Sequence, residues 1–332
     1  MAKTSATVTT LLNTPIPEVL WHYTSFAGLK GIIDSHSIFA SDIRFLNDSQ
    51  ELIHARSLLE EIADHEQERL VKAASLNEIS PFVGSALKKE IQWLFDTGPL
   101  HSGLLQVFVA CFSGAKDQLS QWRGYSYGTS GVSIGIDLRQ IRSKLNRQLA
   151  VFAPCIYDDD QKRKLLREII KELFERTAKL VELAYLGGRD AWNSPKYESD
   201  DNGFSDWFEN SPECVELSKQ IEHNRMSACY DLLHVAALMK HSSFREEKEW
   251  RLAIPLLKGF NDDGALVFFG ASANSLVPRI SQQLDFDTSR VIEIVLGPGG
   301  HPCAIDALQR YMALQNLRPQ IARSSAPYRS TI

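Results

Sequence analysis

Four polar segments of the chain carry side chains that could bind or react with a ligand. The first is residues 22–25 (HYTS), where His22 lies at the end of a predicted strand and can hydrogen-bond a ligand hydroxyl. Tyr23 and Thr24 follow it directly. The same residues also fit a structural role, with a hydrogen-bonded histidine and with Thr24 or Ser25 capping a helix. The segment alone leaves both interpretations open.

The second segment joins the CFS sequence that ends at Ser113 to the LSQWRGY sequence of residues 119–125. Trp122 and Tyr125 are three residues apart, so a helical turn would place them on one face. They could stack on a flat aromatic ring, with Arg123 holding an anion. Alternatively, Trp122 is a core residue and Arg123 a partner in a surface ion pair.

The third segment is residues 246–251 (EEKEWR). If a strand begins near Glu247, its period of two places Glu247, Glu249 and Arg251 on one face. Two carboxylates beside a guanidinium suit a site that stabilises a developing cation, because the arginine lowers the pKa of a neighbouring carboxyl group. A solvent-exposed strand face with ion pairs is the structural alternative.

The fourth segment is the glycine-rich turn of residues 296–301 (LGPGGH), whose backbone N–H groups could face a phosphate. It lacks the lysine of a P-loop, so an ordinary turn explains it equally well. The chain has no H-E-x-x-H motif and no Cys/His grouping typical of zinc sites, so we expect no metal. It also lacks the G-x-S-x-G elbow of serine hydrolases.

The apolar patterning predicts the α+β elements that must position these segments. Strands come from both ends of the sequence and long amphipathic helices lie between them, which favours a single mixed β-sheet with a largely helical insertion. We expect a polar lead-in over residues 1–18, one domain over 19–330, and the insertion at about 158–240. Strands are predicted at 19–23, 38–40, 104–112, 132–136, 250–255, 266–269 and 292–296. Helices are predicted at 26–34, from about 48 to 72, 161–186, 215–239 and 304–315, with a loop over 187–212.

Composition limits the class of protein. The chain has 332 residues, of which 44% are hydrophobic and 23% charged, so wholesale disorder is not expected. A formal net charge of -5 disfavours electrostatic coating of nucleic acid. The N-terminal sequence lacks the apolar run of a signal peptide, and no stretch approaches the roughly 18 apolar residues of a membrane-spanning helix. The five cysteines are scattered, which is typical of reduced thiols. We therefore expect a cytoplasmic protein without membrane contact.

Taken in order, the motifs resemble one known family. HYTS, the NDSQE sequence of residues 47–51, CFS, LSQWRGY with the following GVSIGID, FREEKEWR and a late IVLGP are together similar to a widespread bacterial family of unknown function. Members of that family often lie near phage-defence and toxin-like genes. The resemblance covers roughly residues 20–328.

The same arrangement is distantly similar to ADP-ribosyltransferases of the His-Tyr-Glu type, which include the poly(ADP-ribose) polymerases and bacterial toxins that modify nucleic acid. These enzymes carry a histidine on the first strand, a short helix after it, an aromatic residue under the nicotinamide and a glutamate on a later strand. His22 and the apolar positions that follow it match the beginning of this pattern; those positions are Leu29, Ile32, Ile33 and Ile38. The resemblance implies an ADP-ribosyltransferase-like fold and NAD as the substrate.

The resemblance also implies roles for the polar residues. His22 would bind a ribose hydroxyl of the adenosine half of NAD, and Glu249 or Glu247 would polarise the reacting ribose. Tyr125 or Trp122 would stack on the nicotinamide; the middle motif departs from the usual tyrosine-bearing pattern, so this choice stays open. Either Arg123 or Arg251 would meet the pyrophosphate, and the remaining binding candidates are Tyr23, Thr24 and Ser113.

The implied activity is cleavage of the nicotinamide–ribose bond and transfer of ADP-ribose to a protein, a nucleic acid or a small molecule. Such an enzyme would suit a toxin or a phage-defence effector, with a partner protein that neutralises it. An acidic chain suits a protein or small-molecule acceptor better than long duplex DNA, while a single exposed base also fits. The alternatives are an NAD glycohydrolase and a non-catalytic nucleotide-sensing or partner-binding module.

Overall fold

The computed structural model describes residues 6–46, 50–74, 80–94, 105–125, 131–145, 149–192, 212–257, 267–271, 275–284 and 290–326. The described elements form an α+β fold with a mixed, largely antiparallel sheet, which confirms the predicted fold class at that level. The chain divides into two compact units, one built around the sheet and one built from long helices. The predicted single domain with a helical insertion stays a prediction.

The sheet unit comprises residues 10–51, 106–159 and 237–332. Eight of its ten described strands run in the order β10-β9-β4-β1-β3-β2-β8-β7, and the other two lie off this path, with β6 paired to both β3 and β5. Strands β9 and β10 are parallel, and all other neighbouring strands in this order are antiparallel. The strands are β1 Leu20–Thr24, β2 Ser37–Asp42, β3 Leu105–Ser113, β4 Val132–Ile136, β5 Val151–Pro154, β6 Glu249–Leu257, β7 Phe268–Ala271, β8 Leu276–Gln283, β9 Val291–Leu296 and β10 Gln320–Arg323.

Short helices connect and cover these strands, and the first follows β1 as predicted. The Oγ atom of Ser25 accepts a hydrogen bond from the backbone N–H of Gly28 at 3.0 Å, so Ser25 is the N-cap. The helix buries Leu29, Ile32 and Ile33 against the sheet core. The helices of this unit are α2 Phe26–Ser35, α5 Leu119–Tyr125, α6 Ile141–Lys144 and α9 Ala304–Leu314, with 3₁₀ turns at Ile43–Phe45 and Ser242–Glu247.

Strand β3 is a branch point of the sheet, because it pairs with β1, β2 and β6. It pairs with β2 near its middle, at Phe108 and Val109, and with β1 at a single position at its end, where Trp21 lies opposite Ser113. Pairing with β1 does not continue past Trp21. The carbonyl of Cys111, between these two pairings, is instead hydrogen-bonded by the side chain of His22. The divergence of β1 from β3 is what opens the candidate site.

The helical unit comprises residues 1–9, 52–105 and 160–236. Its main helices are α1 Ala6–Leu12, α3 Gln50–Ala74, α4 Ser80–Gln92, α7 Asp159–Trp192 and α8 Pro212–Leu238. The apolar face predicted for α7 is buried, namely Leu165, Leu166, Ile169, Ile170, Leu173 and Phe174. Because α7 continues to Trp192, the predicted loop from 187 was wrong at its start, and its remainder, 193–211, lies outside the described residues. No helix among the described residues is long and apolar enough to cross a bilayer.

The carboxylate of Asp117 fastens the C-terminal segment to the sheet unit. Its Oδ1 atom accepts hydrogen bonds from Trp122 Nε1 and Ser324 Oγ, both at 2.6 Å. Its Oδ2 atom accepts from the backbone N–H of Ser325 at 2.7 Å and from Ser325 Oγ at 3.0 Å. Partial burial opposes ionisation, but the hydrogen bonds from Ser324, Trp122 and Ser325 outweigh it and lower the pKa of Asp117.

We expect Asp117→Ala to lower the free energy of unfolding by about 2–3 kcal/mol, because the buried indole N–H of Trp122 loses its acceptor. Urea unfolding at neutral pH measures this difference. The matched control is Asp306→Ala, which removes an exposed carboxylate that pairs with Arg310 one turn along α9. That variant should stay within about 0.5 kcal/mol of the wild type. Equal losses in the two variants would show that the hydrogen bonds of Asp117 carry no special weight.

Candidate functional site

A cavity of about 120 Å³ lies among β1, β2 and β3. Its volume resembles that of an engineered protein cavity of about 150 Å³ that binds benzene, so it has room for one planar ring rather than a whole dinucleotide. The lining residues are Trp21, His22, Tyr23, Phe39, Ser41, Leu46, Val109, Ala110, Cys111, Phe112, Ser113, Gln121 and Glu249.

The imidazole of His22 is held by the backbone of β3. Its Nδ1 atom lies 2.9 Å from the carbonyl oxygen of Cys111. Because a carbonyl only accepts hydrogen bonds, Nδ1 carries the proton, and the neutral ring keeps Nε2 as an acceptor. Burial lowers the pKa of His22, and the hydrogen bond to Cys111 opposes that effect without cancelling it. The site therefore contains a neutral histidine that can accept a hydrogen bond from a ligand hydroxyl.

This environment predicts that His22 titrates below its ordinary pKa of 6.5. The unfolded chain then takes up the proton first, so the stability contributed by His22 is fully present above pH 6.5 and is lost as the pH falls below it. An NMR titration of the folded protein, with His22→Ala to assign the resonance, measures the midpoint. The same titration in urea supplies the unfolded reference. A midpoint at or above 6.5 in the folded protein would contradict the buried, neutral state.

Glu249 is the first residue of β6 and is 4% exposed. Its Oε1 atom accepts a hydrogen bond from Arg251 Nε at 2.6 Å, and its Oε2 atom accepts one from Lys240 Nζ. Burial opposes ionisation, but the charges of Arg251 and Lys240 outweigh it and lower the pKa of Glu249 to about 2. A cavity-lining carboxylate is thus held ionised in a buried setting, which is costly unless it is paired.

Lys240 joins Glu249 to a second carboxylate. Its Nζ atom also donates to Glu247 Oε2 at 2.6 Å and lies 5.0 Å from the ring centre of Phe244. Burial opposes the charge on Lys240, but Glu249 outweighs it and raises the pKa of the lysine. The pKa of Glu247 shifts in the opposite direction to that of Glu249, because burial raises it.

The predicted strand face of residues 247–251 needs one correction. Glu247 belongs to the 3₁₀ turn Ser242–Glu247, and Lys248 has a left-handed backbone with φ of 47°, so β6 begins only at Glu249. Glu249 and Arg251 share a strand face as predicted, whereas Glu247 reaches Lys240 from the turn. Glu247 does not line the cavity.

Arg251 occupies a structural position. The residue is 2% exposed, and its guanidinium donates to Glu249 and to the carbonyl oxygens of Ala237 at 2.8 Å and Met239 at 3.3 Å. It does not line the cavity. The predicted contact of Arg251 with a pyrophosphate is therefore replaced by an internal role, which is to orient Glu249.

The aromatic residues of α5 are also placed differently from one predicted role. Trp122 is 1% exposed and packs edge-on against Tyr23, with ring centres 4.8 Å apart, so it is a core residue with no free face for a nicotinamide. Arg123 is exposed on α5 and does not line the cavity. The side chain of Tyr125 lies outside the described residues, so its predicted stacking role stays a prediction.

Three further predicted binding residues make hydrogen bonds or contacts with other residues of the sheet unit. The hydroxyl of Tyr23 donates to the carbonyl of Ala115 at 2.8 Å, and burial raises its pKa to about 12. Ser113 Oγ donates to the carbonyl of Glu247 at 2.5 Å and so ties the end of β3 to the turn before β6. Tyr23 and Ser113 line the cavity, whereas Thr24 does not; Thr24 packs closely against Gly28 instead.

Residues 121–252 match a family model described as a protein of unknown function (DUF2971). The matched segment includes Lys240, Glu249 and Arg251, but not His22 on β1. Neither the curated proteins nor the solved structures gave a significant match to the chain.

Strands β1, β2 and β3 supply most of the cavity wall, and the matched segment adds Gln121 and Glu249. The structure brings His22, Tyr23, Ser113 and Glu249 to one cavity, and it places Thr24, Trp122, Arg123, Glu247 and Arg251 outside its lining. The glycine-rich turn after β9 also lies elsewhere, where its carbonyl oxygens at His301 and Pro302 accept hydrogen bonds from Arg323. Among the described residues no group of three or more His, Cys, Asp or Glu could hold a metal ion.

Sequence analysis missed two residues that shape this site. Lys240 follows a long helix with no motif around it, so only its contact with both glutamates reveals its role. Cys111 was noted only as part of CFS. Burial and the neighbouring Glu249 raise the pKa of the Cys111 thiol well above its usual value, so it stays protonated and is no nucleophile.

Proposed function

We propose that the protein cleaves the nicotinamide–ribose bond of NAD and transfers ADP-ribose to an acceptor. The observation that carries the proposal is the convergence of His22, from the N-terminal strand β1, and Glu249, from the late strand β6, on one ring-sized cavity. The two side chains differ in charge, since the imidazole is neutral and the carboxylate is ionised. Paired groups of this kind suit a site that binds a sugar and stabilises positive charge on it.

In the proposed reaction the bond between ribose C1′ and the nicotinamide nitrogen breaks, and its electron pair leaves with neutral nicotinamide. The positive charge then resides on the ribose as an oxocarbenium-like state. The ionised Glu249 stabilises this state and accepts a hydrogen bond from a ribose hydroxyl. A carboxylate has about four lone-pair sites, so the bonds from Arg251 and Lys240 leave room for that hydroxyl. The acceptor attacks C1′ and loses a proton. In the same complex, Nε2 of His22 accepts a hydrogen bond from a hydroxyl of the adenosine ribose.

One observation favours a second function, a nucleotide-binding module without turnover. Both oxygens of Glu249 are already held by Lys240 and Arg251, and such a cluster can serve only to stabilise the fold. The two functions share the cavity and differ in whether NAD is consumed.

An NAD glycohydrolase, in which water is the acceptor, is a close variant of the first function. The acidic net charge of -5 favours a protein or small-molecule acceptor over long duplex DNA, and a toxin or phage-defence role with a neutralising partner belongs to the same proposal.

The test is incubation of the full chain with NAD labelled in its adenylate half, with and without cell lysate. Release of nicotinamide with label on a lysate component supports the transferase, and label recovered as free ADP-ribose supports the glycohydrolase. Binding of NAD without release of nicotinamide supports the binding module. Absence of NAD binding at millimolar concentration overturns the proposal. His22→Ala should weaken NAD binding, which separates turnover at this cavity from a contaminating activity.

A further inference from the structure

The guanidinium of Arg279 on β8 has no acceptor among the residues that the structure describes. It makes no hydrogen bond and no ion pair within the described part of the chain, and its Nε atom is buried. Buried donors are nearly always satisfied, so an orphaned one calls for an explanation. The Nε–H and an Nη–H of arginine form a fork whose geometry matches two oxygens of a phosphate. The unsatisfied fork is therefore suited to an anionic ligand.

The sheet register places Arg279 beside the candidate cavity. Arg279 lies opposite Ser41 of β2 and opposite Phe268 of β7. Residues directly opposite each other in an antiparallel pair share a face of the sheet, so Ser41, Arg279 and Phe268 form one row. Ser41 lines the cavity, and Phe39, two residues earlier on the same face, lines it as well. The face that carries Arg279 thus continues from the cavity wall.

Gly270 on β7 fixes the position of the guanidinium. A Cβ atom added there would lie 2.6 Å from Arg279 Cζ and 2.8 Å from its Nε. The guanidinium therefore rests directly on the glycine, in space that any other residue would fill. The glycine keeps the arginine lying along the sheet face.

An exposed aromatic ring completes this face. Phe39 is 42% exposed although it lines the cavity, and its ring centre lies 4.8 Å from that of Phe268 at a steep angle. An exposed ring next to an unpaired guanidinium matches a ligand that combines a flat ring or sugar with a phosphate. We propose that Arg279, Phe39 and Ser41 form a subsite for the diphosphate of a nucleotide, on the sheet face that continues from the cavity lined by His22 and Glu249.

The charge pattern favours a small nucleotide over a nucleic-acid strand. Arg44, just after β2, is already bound to Asp42 through both carboxylate oxygens, so Arg279 is the unpaired cation in this row. Strands of nucleic acid require several phosphate contacts, whereas one arginine suffices for a diphosphate. The subsite rests on the proposed function in one respect, since it assigns to the diphosphate of NAD a place beside the nicotinamide cavity.

Calorimetric titration of the full chain with ADP tests the subsite, because ADP lacks the nicotinamide and its ribose. We expect ADP to bind, and Arg279→Gln to weaken binding by about 10- to 100-fold. Gly270→Ala should weaken it as well, although it keeps every charge, because the added methyl group displaces the guanidinium. The matched control is Arg310→Gln, which removes the same charge from the exposed face of α9 and should leave ADP binding unchanged.

The outcomes separate this inference from the proposed function. ADP binding that depends on Arg279 and Gly270 supports the subsite even in a protein that never releases nicotinamide. ADP binding that is equal in Arg279→Gln and the wild type overturns it, even where NAD is consumed. No ADP binding at millimolar concentration overturns it too, as does Arg279-dependent binding of a single-stranded oligonucleotide in the absence of ADP binding.

Discussion

Glu249→Gln should lower the rate of nicotinamide release from NAD by about 100-fold or more, because the developing positive charge on the ribose loses the carboxylate that lines the cavity. Glutamine has the same shape as glutamate, and its amide oxygen can still accept a hydrogen bond from one of the two cations, Arg251 or Lys240. The variant therefore changes the charge more than the geometry. Single-turnover measurement of nicotinamide release, at saturating NAD, isolates this step from binding.

Two other glutamate-to-glutamine substitutions serve as controls for this result. Glu247→Gln removes the other carboxylate bound to Lys240, which does not line the cavity, and should release nicotinamide near the wild-type rate. Glu293→Gln removes a carboxylate on β9 that pairs with Lys116 and should have no effect. A wild-type rate in Glu249→Gln would remove the carboxylate from the mechanism. A large loss in Glu247→Gln alone would transfer the role to that residue.

Lys240→Met should lower the free energy of unfolding by about 3–5 kcal/mol at pH 7, because two buried carboxylates lose their shared cation. Lys240 Nζ contacts both Glu247 and Glu249, and only Glu249 retains another cation, Arg251. Methionine preserves the length and apolar stem of lysine, so the measured loss reports the charge. Urea unfolding, checked by calorimetry, measures it.

The pH dependence of this loss identifies its electrostatic origin. In the wild type the lowered pKa of Glu249 contributes stability that is fully present above about pH 4.5 and disappears as the pH falls towards 2. Without Lys240 the carboxylates protonate more readily, so the destabilisation of Lys240→Met should shrink between pH 7 and pH 5. Lys116→Met, which breaks a half-exposed pair, should cost less than about 1 kcal/mol. A loss in Lys240→Met that does not change with pH would indicate a packing defect instead.

Local patterns determined the elements that depend on local physics. The continuous apolar run of β3, the alternation of β4 and the helical spacing of α2 and α7 each predicted an element at nearly its observed position. Each of these elements buries a face that its own sequence marks as apolar. Strands β5, β8 and β10 were missed because they are short or contain Pro154, Pro278 and polar residues, so their pairing comes from neighbouring strands rather than from their own pattern.

The sequence by itself determined which residue types are available for chemistry, with His22 after an apolar strand and Glu249 leading into another. Tertiary structure alone decided which of them meet. It placed Trp122 in the core through Asp117 and Tyr23, and it turned Arg251 inward to bind Glu249. The spacing of neighbouring residues fixes a shared face, but contact between distant strands depends on the register and branching of the whole sheet. His22 and Glu249 share a cavity because β1 leaves β3 after Trp21, and no local pattern encodes that divergence.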